Sequence, residues 1–319
     1  MNTFGRVDLP QEQADALRRA VRLEWITIGF TSVTIVLVAL VVGNSQAMKT
    51  AWIEDMLSLI PQIAFLLALI FVRRRPTRRF PYGLHRTMGI GHLVAGVALL
   101  AVGGSLAAES VIGLLAAEHP TIGTVVVFGT AVWLGWFMIG VMAVIVVGPL
   151  IYGPAKSRLA PLLHNKVLFA DADMAKADWT TNAASIVGVL GIGIGWWWLD
   201  GAAALFISAG ILWDGVKNTR TAVRDLMDQR ARSVDDREPH PLIEEIIAAL
   251  SRVSWIREAG VRVRDEGQVF HVEAFVVPRT KRVSVRRLTA ATEAIVALDW
   301  KVQDVSLIVV AKLPDEAER

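Results

Sequence analysis

Between residues 179 and 199 the chain carries no charged side chain, and directly before that run stand Asp171, Asp173, Lys176 and Asp178. A helix rises about 1.5 Å per residue, so the run is about long enough to cross a hydrocarbon layer of roughly 30 Å. On a helix Asp171, Met174, Asp178 and Asn182 recur at intervals of three and four and share one face. Carboxylates at the start of a membrane span are costly to desolvate. They are expected to face a bundle interior, a water-filled cavity or a bound cation.

The rest of the sequence repeats the pattern of apolar blocks. Of 319 residues, 54% are hydrophobic, above the 45–50% usual for a soluble chain, and the mean hydropathy is +0.47. The spacing predicts spans at about 25–43, 52–72, 88–115, 121–152, 166–199 and 201–217. Arg18, Arg19 and Arg22 precede the first span; RRRPTRR follows the second, GPAKSR the fourth, and Lys217 and Arg220 the sixth. The alternate connections carry only Lys49. By the positive-inside rule the chain is expected to be a multi-pass protein of the cell (inner) membrane with both termini cytoplasmic. Trp196, Trp197 and Trp198 suit an interfacial belt on the outer side. A net charge of +3, its basic residues gathered at span ends, reads as a topology signal and not as a nucleic-acid footprint. With no cysteine, disulfides and thiolate metal ligands are excluded. The N-terminal residues lack the basic–apolar–small order of a cleaved signal peptide.

From residue 218 the pattern changes to charged, mixed and periodic. PLIEEIIAALSRV reads as an amphipathic helix. Two strands at 261–265 and 269–277 are joined by Glu266-Gly267; a helix over 285–298 and a strand over 302–310 follow. Phe270, Val272, Ala274 and Val276 line one strand face. The expectation is therefore an all-α six-helix transmembrane bundle over residues 1–217, then a linker and a small cytoplasmic α+β domain, αββαβ and ferredoxin-like, over 218–319.

Four segments, RRRPTRRFPYGLHR, FADADMAKADWTTNAASIVG, WWWLDGAAALFISAGIL and DLMDQRA, carry a resemblance to a known family. Together with the span count and the αββαβ order, they resemble the cation diffusion facilitator family of divalent metal-ion/proton antiporters. The resemblance implies a metal site between spans 2 and 5. There the aspartate of the family's H-x-x-x-D falls on Asp178, and its histidine position holds Met174. The span-2 carboxylate is either Glu54 or Asp55, depending on one gap in the following loop. The loop that binds an accessory metal in the family has Phe80 and Leu84 for histidines and Thr77 near its aspartate. In the C-terminal domain Ala274 and Ile308 stand where some members place ligands.

The candidate metal set is accordingly Asp178, Asp55, Glu54, Met174 and Asp171, with Asn182 and Gln62 as helpers. Met174 is either a ligand or a packing residue. Asp171 is either in the site or a partner of the helix dipole. Such ligands must lose protons to bind metal, so cation and proton compete for one place and exchange follows. Carboxylates favour harder ions such as Mn²⁺ or Fe²⁺ and a thioether favours softer ones, so Zn, Mn, Fe, Co and Ni are not distinguished. Arg86 and Asp228 occupy positions that pair the two domains in the family; otherwise they are two separate surface charges.

The resemblance implies export of a divalent cation from the cytoplasm in exchange for protons. The implied partners are the lipid bilayer, the metal ion, protons and a second copy of the chain, with no permanently bound cofactor. Two alternatives remain: a non-transporting sensor or partner subunit, and a transporter of another cation. No nucleophile–base pair or phosphate loop suggests an enzyme.

Overall fold

The computed structural model describes residues 9–318, and within them every side chain except those of Lys176 and Ala177. The bundle comprises α1 (Gln11–Val41), α2 (Gln46–Val72), α3 (Thr87–Leu115), α4 (Leu134–Ile145), α5 (Val147–Leu163), α6 (Lys166–Gly193) and α7 (Trp197–Leu226). Among the described residues, five helical stretches are long and apolar enough to cross a membrane: 11–41, 46–72, 87–115, 134–163 and 197–226. The helix α6, with its aspartate-bearing first half, is not among them.

The helices are inverted relative to those of a water-soluble bundle. The buried stripe of α1 contains Glu24, Thr27, Thr31 and Thr34, while Ile26, Val33, Val36 and Leu40 are exposed. An apolar outer face with a polar inner stripe is what a hydrocarbon solvent selects. Without a hydrophobic drive between helices, close contact relies on small residues. A Cβ on Gly96 of α3 would lie 2.7 Å from the backbone nitrogen of Thr219, and one on Gly215 of α7 would lie 2.7 Å from that of Leu100. These glycines let α3 and α7 touch backbone to backbone.

Several span boundaries differ from the sequence expectation. The expected 121–152 span does not start at 121: Thr124–Val127 (β1) and Thr130–Trp133 (β2) pair as an antiparallel hairpin. Phe128 and Gly129 both have positive φ, 50° and 82°, the backbone of a type I′ turn between β-branched residues. The helix begins only at Leu134 and breaks at Val146, where Pro149 offers no amide and its ring crowds the carbonyl of Ile145. The expected 166–199 span ends at Gly193, ahead of Gly195 at φ 86°, and the next helix begins at Trp197 and runs beyond 217 to Leu226. The first helix likewise starts at Gln11, well before residue 25.

The C-terminal domain follows the order α8 (Leu242–Ser251), β3 (Ile256–Asp265), β4 (Phe270–Pro278), α9 (Val285–Val296), β5 (Val302–Val309). Its sheet order is β3-β4-β5, with β3 antiparallel and β5 parallel to β4. Leu242, Ile246 and Leu250 of α8 and Ala291 and Ile295 of α9 pack on Val263, Phe270, Val272, Ala274 and Val276. Both helices thus cover one sheet face. The αββαβ reading holds, and Ala274 is a fully buried core residue.

Candidate functional site

The site is built where α2 crosses α6. Glu54 and Asp55 sit two turns into α2, upstream of Pro61, which interrupts that helix's ladder of amides. Asp178 sits midway along α6. Glu54 Oε1 accepts a hydrogen bond from Thr181 Oγ1 of α6 at 3.3 Å, which fixes the crossing. Its second oxygen, Oε2, is buried without a hydrogen-bond partner. The carboxylates of Glu54, Asp55 and Asp178 interact electrostatically across the gap between the two helices. Asp178 is half-buried, and its own carbonyl accepts from Asn182 Nδ2 at 2.7 Å. Gln62, two turns along α2 from Asp55, is buried with Oε1 unpartnered. Among the described residues no three His, Asp or Glu side chains converge tightly enough to form a closed metal cage.

The other sequence candidates are placed differently. Met174 is 8% exposed and packs with Leu57, Leu99, Ile207 and Ile211, so its environment is hydrophobic. Asp171 turns toward a neighbouring helix: Lys156 Nζ of α5 is paired with Asp171 Oδ2 and lies 3.0 Å from Glu24 Oε2 of α1. Asp173 pairs with Lys217 at 2.7 Å near the surface. Lys176, read in the sequence beside Asp173, lies outside the described side chains.

The triad Glu24–Lys156–Asp171 was not singled out by sequence reasoning. All three side chains are essentially buried, and Glu24 Oε1 has no partner. Lys156 looked like one more basic residue of a loop, because GPAKSR reads as a loop and three prolines lie nearby. In the fold this segment is the helix α5, with Tyr152 one turn away and its ring 5.4 Å from Lys156 Nζ. An isolated Glu24 followed by an uncharged run was the available signal. Asp200 was missed as well. From the first turn of α7 its carboxylate accepts from Ser45 Oγ at 2.6 Å and from the amides of Gln46 at 2.6 Å and Ala47 at 3.3 Å. It therefore caps the amino end of α2, the helix that carries Glu54 and Asp55.

Below the site, Arg86 at the start of α3 is paired with Asp228, which follows α7. Arg86 Nη1 also donates to the carbonyl of Leu226 at 3.1 Å, and Asp228 Oδ2 lies 3.3 Å from Arg264 of β3. Asp228 thus bridges the bundle and the C-terminal sheet.

Chemically, the α2–α6 crossing offers the three carboxylates of Glu54, Asp55 and Asp178, with the carboxamides of Gln62 and Asn182 on the same two helices. That donor set suits a divalent cation that keeps some of its water. A family model described as the cation efflux transmembrane domain matches residues 25–227. Over 257 residues the chain is 24% identical to a protein of Bacillus subtilis (strain 168) described as the uncharacterized transporter YdbO, covering 77% of this chain and 80% of that one.

Proposed function

This chain belongs to the cation efflux family, and on that premise we propose that it exports a divalent metal cation from the cytoplasm in exchange for protons. The observation that carries the reading is the meeting of Glu54, Asp55 and Asp178 across α2 and α6, with Glu54 Oε2 buried and unpartnered. A buried carboxylate oxygen with no donor is stabilised by a cation or a proton and by little else. Alternate occupation by the two gives exchange: metal binding releases the protons, and reprotonation releases the metal. Asn182 and Gln62 supply neutral oxygens. Asp171 contributes through Lys156 and Glu24, as part of the framework beside the site. Met174 belongs to the packing, which leaves the site carboxylate-rich and shifts preference toward harder ions such as Mn²⁺ or Fe²⁺.

In this reading α6 is the remaining span, giving six, with both termini and the C-terminal domain in the cytoplasm and the chain acting as a homodimer. The support is the order of the loops: Arg18, Arg19 and Arg22, then RRRPTRR, GPAKSR, and Lys217 with Arg220 fall on alternate connections along the chain. Purified protein in sealed vesicles tests the proposal, screened over Zn²⁺, Mn²⁺, Fe²⁺, Co²⁺ and Ni²⁺ with a pH-sensitive dye inside. The expected result is metal movement accompanied by proton movement in the opposite direction. Metal movement without a pH change would remove the exchange.

One observation favours a second reading, a non-transporting family member. The family's span-5 histidine position holds Met174, which is in a hydrophobic cluster, and Asp171, a further candidate, is paired with Lys156. That reading predicts no flux of any of the five ions.

A further inference from the structure

Where the C-terminal domain meets the bundle, Lys301 reaches from the connection between α9 and β5 to the turn between α5 and α6. It is buried to 1% exposure, and its ammonium donates to the carbonyl of His164 at 3.2 Å, the carbonyl of Gly267 at 2.9 Å and Asp265 Oδ1 at 3.2 Å. His164 occupies the left-handed backbone region at φ 42°, closing α5 and handing the chain to Asn165, whose side chain caps α6. The contact therefore holds the root of the helix that carries Asp178. Gly267 allows the approach, since a Cβ there would lie 2.8 Å from the carbonyl oxygen of His85.

Three imidazoles surround this ammonium. His164 and His240 have ring centroids 4.8 Å apart, and both rings pack on Phe270, whose ring also lies 4.3 Å from Lys301 Nζ. His164 Nε2 is 3.4 Å from Asp265 Oδ2. His85, 3% exposed, has both ring nitrogens buried without hydrogen-bond partners. Around His164 the charged groups are Lys301, Asp265 and Lys166; around His240 they are Lys301, Asp299 and Asp265; His85 faces Lys301. Lys166 is itself held by Asp225 at 2.7 Å and Asp236 at 3.4 Å, so those carboxylates are already committed.

We propose that Lys301 is the positioning residue that ties the C-terminal domain to the α5–α6 turn, and that the three histidines make this tie release on acidification. None of these groups lies at the α2–α6 crossing, so the joint stands apart from the proposed cation site.

The charges explain the direction. Burial, then Lys301, lowers His85 to about 4; burial, then His164 and Lys301, lowers His240 to about 4, and burial leads in lowering His164. Burial alone would raise Asp265, but Lys301 and His164 hold it below the usual carboxylate range. A histidine lowered in the closed joint binds fewer protons there than after solvation. Closure is therefore complete above the ordinary histidine value of 6.5 and is lost as pH falls from there toward 4. At pH 5 each of His85 and His240, if solvated on opening, shifts the balance toward the open form by roughly thirty-fold.

The absence of cysteine allows a direct test in the full-length protein reconstituted in lipid nanodiscs. Spin labels at Arg78→Cys, in the exposed α2–α3 loop, and Arg286→Cys, exposed on α9, report the distance between bundle and domain. Dilution with unlabelled protein suppresses distances between copies. The expected result is one narrow distribution at pH 7.5 and a second, longer population at pH 5. Lys301→Met should show that longer population already at pH 7.5. His85→Asn, His164→Asn and His240→Asn together should keep the narrow distribution at pH 5. Identical distributions at pH 7.5 and pH 5 in the otherwise unaltered chain overturn the acid release, and this needs no joint variant to fold. An unchanged distribution in Lys301→Met overturns the positioning role.

Discussion

At the scale of single residues, Lys156 offers the sharpest contrast between a charge and its surroundings. It stands between Glu24 and Asp171 with none of the three appreciably exposed, so a single positive charge answers two carboxylates. Lys156→Met would leave both carboxylates uncompensated and is expected to cost about 3–5 kcal/mol of stability. Thermal unfolding in detergent measures this, and a loss below about 1 kcal/mol would show that the triad is not held as an ion pair. The triple change Glu24→Gln, Lys156→Met, Asp171→Asn removes the charges together and should recover most of that stability. Beside the proposed cation site the informative single change is Met174→His. It places an imidazole one turn from Asp178 and should move ion preference toward Zn²⁺. An unaltered preference in the vesicle assay would show that position 174 does not reach the cation.

At the scale of elements, the packing of α3 on α7 depends on backbone proximity at Gly96 and Gly215. Gly96→Ala requires the helices to separate by several tenths of an ångström along their whole contact. The expected cost is about 1–3 kcal/mol, read as a lower unfolding temperature. Gly140→Ala of α4, where no atom lies within 4 Å of the added carbon, should be neutral or slightly stabilising. Equal effects of the two substitutions would argue against the close α3–α7 contact.

Elements were legible in the sequence where a single local rule decided them. The αββαβ order of the C-terminal domain followed from period-two and amphipathic patterns, and the helical blocks followed from their uncharged length. The hairpin at 124–133 was not legible, because TVVVFGTAVW is as apolar as the span it precedes and only β-branching and the Phe128-Gly129 turn separate it. The break at Val146 depends on Pro149, and prolines elsewhere, such as Pro61, sit inside a continuous helix. For the site, spacing along α6 placed Asp171, Met174 and Asp178 on one face, but the partners on other helices decide their roles. Lys156 claims Asp171 and a hydrophobic cluster claims Met174. No one-dimensional pattern carries that information.

At the scale of the whole molecule, the basic connections alternate along the chain with connections whose only lysine or arginine is Lys49. With impermeant thiol reagents on intact cells, a cysteine at Thr77 should be protected, and one at exposed Asn44, on the opposite end, should react. The reverse labelling would invert the chain and turn export into import. The C-terminal domain closes this architecture without metal ligands at Ala274 or Ile308, so full-length protein should keep one oligomeric state with chelator or with added Zn²⁺. A chelator-dependent change in sedimentation would reveal a metal contact between copies.

If carboxylates at the α2–α6 crossing carry the cation, the charge of Asp178 is needed for transport. Asp178→Asn keeps the shape and removes one charge, whereas Asp173→Asn removes a charge of the same helix that pairs with Lys217 near the surface. With the ion that gives the largest flux in vesicles, Asp178→Asn should lower apparent affinity by at least tenfold, about 1.4 kcal/mol, or abolish flux, and Asp173→Asn should stay within about twofold. Flux through Asp178→Asn equal to that of the unaltered chain would contradict the account.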